Sequence, residues 1–275
     1  MIDLLRTDLR RAFRDKLVVV LCIIGGVFSI ITPLLYKALF LLLKIDGEFL
    51  QELETLGIMV NAKTMFFSSF SLGNNFGLVL PVFVAIIVCR DFSNGTIRNK
   101  IICGKSRISI YCSLLITTVV LTCSFMLAHA LVTLLISLIF FEYQSTPFTI
   151  NDFGYLTASL GLELLILILV SALLVLLIVL MKNTALSIVM YFVIDFAFII
   201  IGGITQAIGM FAKYGTLTYK VLEFVNTANP FATLAIGGGV NYQLKELLYL
   251  ILPNLALIIA TVVLGTVIFK NKDLK

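Results

Sequence analysis

Charge is scarce in this sequence. Only 13% of its 275 residues are Asp, Glu, Lys or Arg, against 60% hydrophobic residues and a mean hydropathy of +1.12. A soluble domain is about a quarter charged and about half apolar, which excludes a water-soluble globule. Imidazole is almost missing as well. His129 is the single histidine, and the five cysteines (Cys22, Cys89, Cys103, Cys112 and Cys123) make no zinc-like spacing with it. With no metal cluster and no paired carboxylates at helical spacing, an intramembrane enzyme has little to work with.

A complete phosphate loop is missing too. Residues 99–107, NKIICGKSR, end in the manner of G-x-x-x-x-G-K-[ST], but the first glycine position is Asn99. The segment also follows a long apolar run rather than a short buried strand within a βαβ unit. MYFVID at 190–195 resembles an apolar strand ending in a magnesium-binding Asp, yet Asp195 falls in the middle of a long apolar run. The chain itself is therefore expected to hold no nucleotide, cofactor or metal.

What the sequence does have is long hydrophobic runs. Six stand out: 17–36, 70–89, 108–130 (to 141 on a longer reading), 156–181, 184–204 and 247–269. Each suffices for a hydrocarbon core of about 30 Å at about 1.5 Å per helical residue. The first follows sixteen Arg-rich residues and lacks a small-residue cleavage site, so it reads as a span rather than a leader. Placing the N-terminus in the cytoplasm puts 14 of the 20 Lys and Arg residues inside, in 1–16, 90–107, at Lys182 and after 269. Both termini then come out cytoplasmic, in the plasma membrane. The net charge of +5 follows from this topology and from anionic inner-leaflet lipid, not from nucleic-acid binding. No cysteine falls in an external loop, so no structural disulfide is expected.

The loop after the second run, CRDFSNGTIRNKIICGKSRISIY at 89–111, is short, basic and patterned. Ile97, Ile101 and Ile102 mark one apolar face of a short helix, with Arg98, Asn99 and Lys100 turned away. Gly95 and Gly104 bracket it as chain-reversal points. Composition leaves two readings open: a helix docking into a partner's groove, or a solvated basic loop. Upstream, MIDLLRTDLRRAFRDK sets Ile2, Leu5, Leu9, Ala12 and Phe13 on one helical stripe, with basic residues mostly opposite. That pattern suits an interfacial helix whose Lys and Arg snorkel to headgroups.

This loop resembles the coupling-helix region of ABC-transporter permeases of the type-2 (export) class. The matching residues are Asp91, Phe92, Ser93, Asn94, Gly95, Thr96, Ile97 and Arg98, with Ser106–Arg107 before the next span. There are two departures. Asp91 stands where the family often has Glu, and Tyr111, Cys112 and Ser113 stand where it often has a Lys. The resemblance implies an all-α permease domain over 1–275. It would have six transmembrane helices, an interfacial helix at 1–16, a cytoplasmic coupling loop at 90–107 and an external re-entrant segment at 205–246. It assigns ATPase coupling to Asp91, Phe92, Gly95, Thr96, Ile97, Arg98, Asn99, Lys100, Ser106 and Arg107. The partners it implies are two ATP-binding cassette subunits, which hold the ATP and Mg, a second copy or a related permease, and membrane lipid.

Outside, residues 38–69 carry an acidic amphipathic pattern, with Phe49, Leu50, Leu53 and Leu56 beside Asp46, Glu48, Glu52 and Glu54. The segment 205–246 has apolar stretches too short to span, broken at Asn229–Pro230 and Gly237–Gly239. Two short helices dipping into the outer leaflet are expected there, with Asn229 and Pro230 at an external gate. Three ionisable residues fall inside runs: Asp195, His129 and Glu163. Buried charge in a membrane is a functional-site hypothesis by default, with helix–helix bonding placed ahead of substrate contact or proton coupling, and a pair between Asp195 and His129 left open. A greasy interior suits a hydrophobic or amphipathic cargo such as a peptide, an antimicrobial or a lipid-like molecule. The rival is a secondary transporter or channel working alone, which predicts matching broken spans in an inverted repeat. The sequence shows no convincing one.

Overall fold

The computed structural model describes residues 2–43, 61–70, 75–143, 150–211, 215–230 and 244–272. They form ten helices, with no strand among the described residues. In chain order these are α1 (Ile2–Phe13), α2 (Lys16–Leu42), α3 (Ala62–Ser68), α4 (Asn75–Ser93), α5 (Thr96–Ile102), α6 (Arg107–Phe140), α7 (Ile150–Met181), α8 (Thr184–Phe211), α9 (Leu217–Ala228) and α10 (Leu244–Asn271). Six of them, α2, α4, α6, α7, α8 and α10, are long and apolar enough to cross a bilayer. The chain is a multi-pass membrane protein. Most of these helices outrun the apolar stretch that announced them, because a nucleated helix continues through polar residues such as Lys37. The second differs in register. It begins at Asn75 rather than near 70, and Asp91, Phe92 and Ser93 belong to its last turn, not to the loop.

The bundle is organised around α6. Its 34 residues make a rod of about 51 Å, far longer than a hydrocarbon core of about 30 Å. It packs against α1, α2, α3, α4, α7 and α10. The inward stripe is hydroxylated rather than greasy: Ser113, Thr117, Thr118, Thr122, Thr133 and Ser137 are all buried. Lipid tails are as apolar as leucine, so helices in a membrane associate through close packing of small side chains and local hydrogen bonds. Four of these hydroxyls return to their own helix: Thr118 donates to the Leu114 carbonyl at 2.9 Å, Thr122 to Thr118 at 2.9 Å, Thr133 to His129 at 2.9 Å and Ser137 to Thr133 at 2.6 Å. Each is satisfied without a partner helix, leaving a narrow surface for neighbours to approach.

The tightest approach is at Gly265 of α10. A Cβ there would lie 2.0 Å from Tyr111 Oη and 2.7 Å from its Cζ. Tyr111 is fully buried against Phe269 and its hydroxyl has no hydrogen-bond partner among the described residues. Gly265→Ala is expected to lower stability by about 1–3 kcal/mol through overpacking against a rigid ring. Tyr111→Phe removes an unsatisfied buried hydroxyl and should be neutral or stabilising. Thermal unfolding in detergent reads both, and an unchanged midpoint for Gly265→Ala would contradict this packing.

At the end of α6 remote from Arg107 sits α3, a single capped turn-pair with a capping box at Asn61 and Thr64. Its Ala62 and Lys63 amides donate to the Glu142 and Tyr143 carbonyls at 3.0 and 3.1 Å. Ala62, Met65, Phe66 and Phe67 are buried, so this stretch plugs the bundle end rather than standing in water. The acidic helix expected through Asp46, Glu48, Glu52 and Glu54 lies outside the described residues, as do Gly237–Gly239.

Candidate functional site

At the basic end of the bundle, α1, the last turn of α4, α5 and the first turns of α6 form a platform. Its geometry begins with two glycines. Gly95 has φ +66° and Gly104 has φ +78°, left-handed conformations that cost other residues strain. Between them α5 makes two turns, and Ser106 then caps α6, accepting from the Ser109 amide at 3.2 Å. The short helix and its bracketing glycines match the sequence pattern, but the faces are arranged differently. Ile97 is buried and Ile101 packs on the core, whereas Ile102 is 73% exposed. Lys100 turns inward rather than away. The outer face consists of Arg98, Asn99, Ile102 and Lys105.

Lys100 turns in because a carboxylate waits there. The buried stripe of α1 is Leu4, Asp8 and Ala12, not the apolar set Ile2, Leu5, Leu9 and Phe13. Ile2 and Phe13 remain exposed. Asp8 is 3% exposed and accepts from Lys100 Nζ at 2.8 Å and from the Ser113 hydroxyl at 2.7 Å. Arg11 donates to Asp91, and its guanidinium also lies 3.7 Å from Asp8. Lys100 is 3.7 Å from Asp91, closing a network of two carboxylates and two cations. Such a network is expensive to desolvate and punishing to break. Its consequence is positional: α1 latches both flanks of the α4–α5 turn, so α5 cannot tilt without moving α1 and α6. Asp91 and Lys100 thus fix the platform, while Arg98 and Asn99 face outward.

Two further ties extend the platform. Arg90 donates to both oxygens of Asp15 at 2.9 and 2.7 Å, and Asp15 caps α2 through the Leu17 amide at 3.0 Å. Partial burial pushes the Asp15 carboxyl up, but the Leu17 amide and Arg90 together outweigh it and hold the group below its ordinary value. A depressed folded pKa means the tie is complete above the unfolded value of about 3.9 and is lost as pH falls through the lower folded value. Wild type is therefore expected to loosen the α1–α2 junction more on acidification below about pH 4 than Asp15→Asn, read by hydrogen exchange at Leu17. Arg107, on the far side, donates to the Lys270 and Lys272 carbonyls at 2.9 and 2.7 Å. Lys272 in turn donates to the Val179 and Leu180 carbonyls at 2.6 and 2.5 Å. Arg107 therefore clasps the ends of α10 and, through Lys272, α7. A cleft of about 370 Å³ opens within the platform, lined by Arg11, Asp15, Arg90, Asp91 and Asn94 among others. Among the described residues no group of His, Cys, Asp or Glu is placed to hold a metal.

A family model described as a protein of unknown function (DUF2705) matches residues 18–275. The chain belongs to this family. Comparison with curated proteins gives no match. In this DUF2705 chain the match opens just inside α2, so Asp8, Arg11 and Asp15 precede it while their partners Lys100, Asp91 and Arg90 lie within it.

The three intramembrane candidates of the DUF2705 chain stand apart in their bonding. His129 is held by α2: its Nδ1 lies 2.8 Å from Ser29 Oγ and 3.2 Å from the Gly25 carbonyl, and its ring stacks on Phe76 at 4.7 Å. The hydrogen-bond partners of its ring are thus on the first span, and Asp195 is not among them. Gly25 serves packing, since a Cβ there would lie 3.1 Å from Phe76. Asp195 on α8 and Glu163 on α7 are buried, each with one carboxyl oxygen lacking a hydrogen-bond partner among the described residues. Sequence reasoning missed Asn254 of α10 and Tyr191 of α8, which are buried with oxygens that have no partner among the described residues. Asn229, beyond α9, donates from Nδ2 to the Phe198 carbonyl, halfway along α8, at 2.7 Å. Pro230 lines a small apolar cavity with Phe198, Leu257 and Thr261.

Proposed function

We propose that this chain is the membrane-spanning permease subunit of an ATP-driven exporter in the plasma membrane, with both termini cytoplasmic. It would form the path for a hydrophobic or amphipathic cargo while separate ATPase subunits supply the energy. The observation that carries this reading is the latched α5 helix. A short helix held at both ends by glycine turns and from behind by Asp8 and Asp91 presents Arg98, Asn99, Lys105 and an exposed Ile102 outward. An isoleucine ringed by polar and cationic groups at a bundle end is an anchor awaiting a groove. Arg107 links that helix to the ends of α10 and α7, giving a push on α5 a route into the spans.

Other features fit the same reading. The fold-back of Asn229 to the midpoint of α8 suits a re-entrant outer cap. The spans α2, α8 and α10 leave broad apolar faces uncovered, enough for lipid and for a second permease copy. The test is capture. A tagged chain extracted from its native membrane in mild detergent is expected to bring down an ATPase that carries a complete phosphate loop. Recovery of the chain with no ATPase, under conditions that preserve the bundle, would favour the transporter or channel that works alone.

A further inference from the structure

We infer that a second cavity, in the half of the bundle away from the platform, is a binding site for an uncharged, hydroxyl-headed amphiphile that enters from the bilayer. The cavity holds about 410 Å³ between α2, α3, α4 and α6, within the range of ordinary small-molecule sites. It does not depend on the exporter reading, since binding here needs no motor.

The lining selects the ligand. Its walls are aromatic and aliphatic, with Phe28, Leu35 and Phe76 prominent, and no Lys, Arg, Asp or Glu is among the described lining residues. An ionised head would find no opposite charge from a described acidic or basic lining residue, and burying an unpaired charge is costly. Two of the polar residues have spent their hydrogens inward: Ser69 donates to the Met65 carbonyl at 2.8 Å and Thr133 to the His129 carbonyl at 2.9 Å. They turn acceptor lone pairs toward a ligand. His129 does the same. Nδ1 also faces the Gly25 carbonyl at 3.2 Å, which can only accept, so the ring hydrogen is assigned to Nδ1 and Nε2 is left as the acceptor. Nε2 has no hydrogen-bond partner among the described residues, and His129 lines the cavity. Tyr36, also on the wall, supplies a phenol that can donate back. A hydroxyl group, which gives one hydrogen bond and accepts another, complements this set, and an apolar tail complements the rest.

The entrance says where the ligand comes from. Ile31, Leu35 and Leu39 line the cavity at successive helical turns of α2 and are all exposed. An apolar rim on a spanning helix faces acyl chains, so the occupant partitions into lipid first and enters sideways.

The experiment uses the whole chain in nanodiscs of zwitterionic phospholipid, with photoactivatable hexadecanol, hexadecanoic acid and hexadecylamine as parallel probes. The alcohol is expected to label α2 and α6 around Leu35 and Thr133, at least tenfold above the other two heads. Leu35→Trp fills the cavity from its exposed rim without touching His129, and His129→Leu removes the acceptor. Each should cut alcohol labelling at least tenfold while leaving scattered labelling of α8 unchanged. Equal labelling by all three heads, preference for the acid or the amine, or indifference to Leu35→Trp in a folded protein would overturn the site. Cross-links joining Leu35 of two copies would overturn it also, by making the cavity an interface.

Discussion

Replacing Asp8 with alanine is expected to cost about 3–5 kcal/mol and to release the platform, because it strands a nearly buried ammonium. Lys100 is 11% exposed at its side chain and donates its closest hydrogen bond to the Asp8 carboxylate at 2.8 Å. Asp91, 3.7 Å away, is already engaged by Arg11 and offers only partial relief. Loss of Asp8 also leaves the Ser113 hydroxyl without its acceptor inside the bundle. The expected signs are a lower unfolding midpoint in detergent and faster tryptic cleavage after Arg98 and Lys100. The pair can be told from the fold by a double substitution. Asp8→Ala with Lys100→Met removes both charges, and should recover most of the lost stability, since an apolar pair of similar volume costs little. If the double variant is as unstable as the single one, the ion pair is not the latch.

The second large effect concerns function rather than stability. Arg98→Glu together with Ile102→Asp alters only outward side chains of α5, so the folded bundle should be unaffected. If α5 docks a motor, reversing a cation and burying a carboxylate in the motor's groove should reduce its association at least a hundredfold, in line with the few kcal/mol carried by a central apolar anchor and its flanking charge. The measurement is ATPase copurified per mole of permease, with the unfolding midpoint as the control. Loss of binding with an unchanged midpoint supports docking. Retained binding would place the motor elsewhere.

The parts of this architecture that the sequence made plain share one physical basis. A run of 20 apolar residues can do little but cross a membrane, and 184–204 or 247–269 needed no context to be read. The short α5 helix was legible because Ile97 and Ile101 recur at helical spacing between two glycines whose positive φ marks a reversal. The platform's wiring was not. In α1 the apolar stripe pointed to Ile2 and Phe13, yet the inward face is centred on Asp8. Nothing local separates an aspartate that will be buried from one left in water. The difference lies in Lys100, 92 residues away, and in Ser113. Lys100 was likewise misread as outward for want of knowing about Asp8. Arg107 matched a pattern near the loop's end, but its clasp on the carbonyls of α10 is a tertiary fact with no periodic trace. The hydroxyl stripe of α6 was in view at four-residue spacings and escaped notice, because a membrane helix is usually scanned for what is greasy.

The central claim is that this chain provides a passage and another protein provides the work. It is tested most directly by reconstituting the purified chain in vesicles, alone and with the ATPase captured through it, while following ATP hydrolysis and movement of an amphipathic cargo together. The account predicts neither activity from the chain alone and both, strictly ATP-dependent, from the pair. Cargo movement or ATP cleavage by the lone chain at the rate of the pair would contradict it.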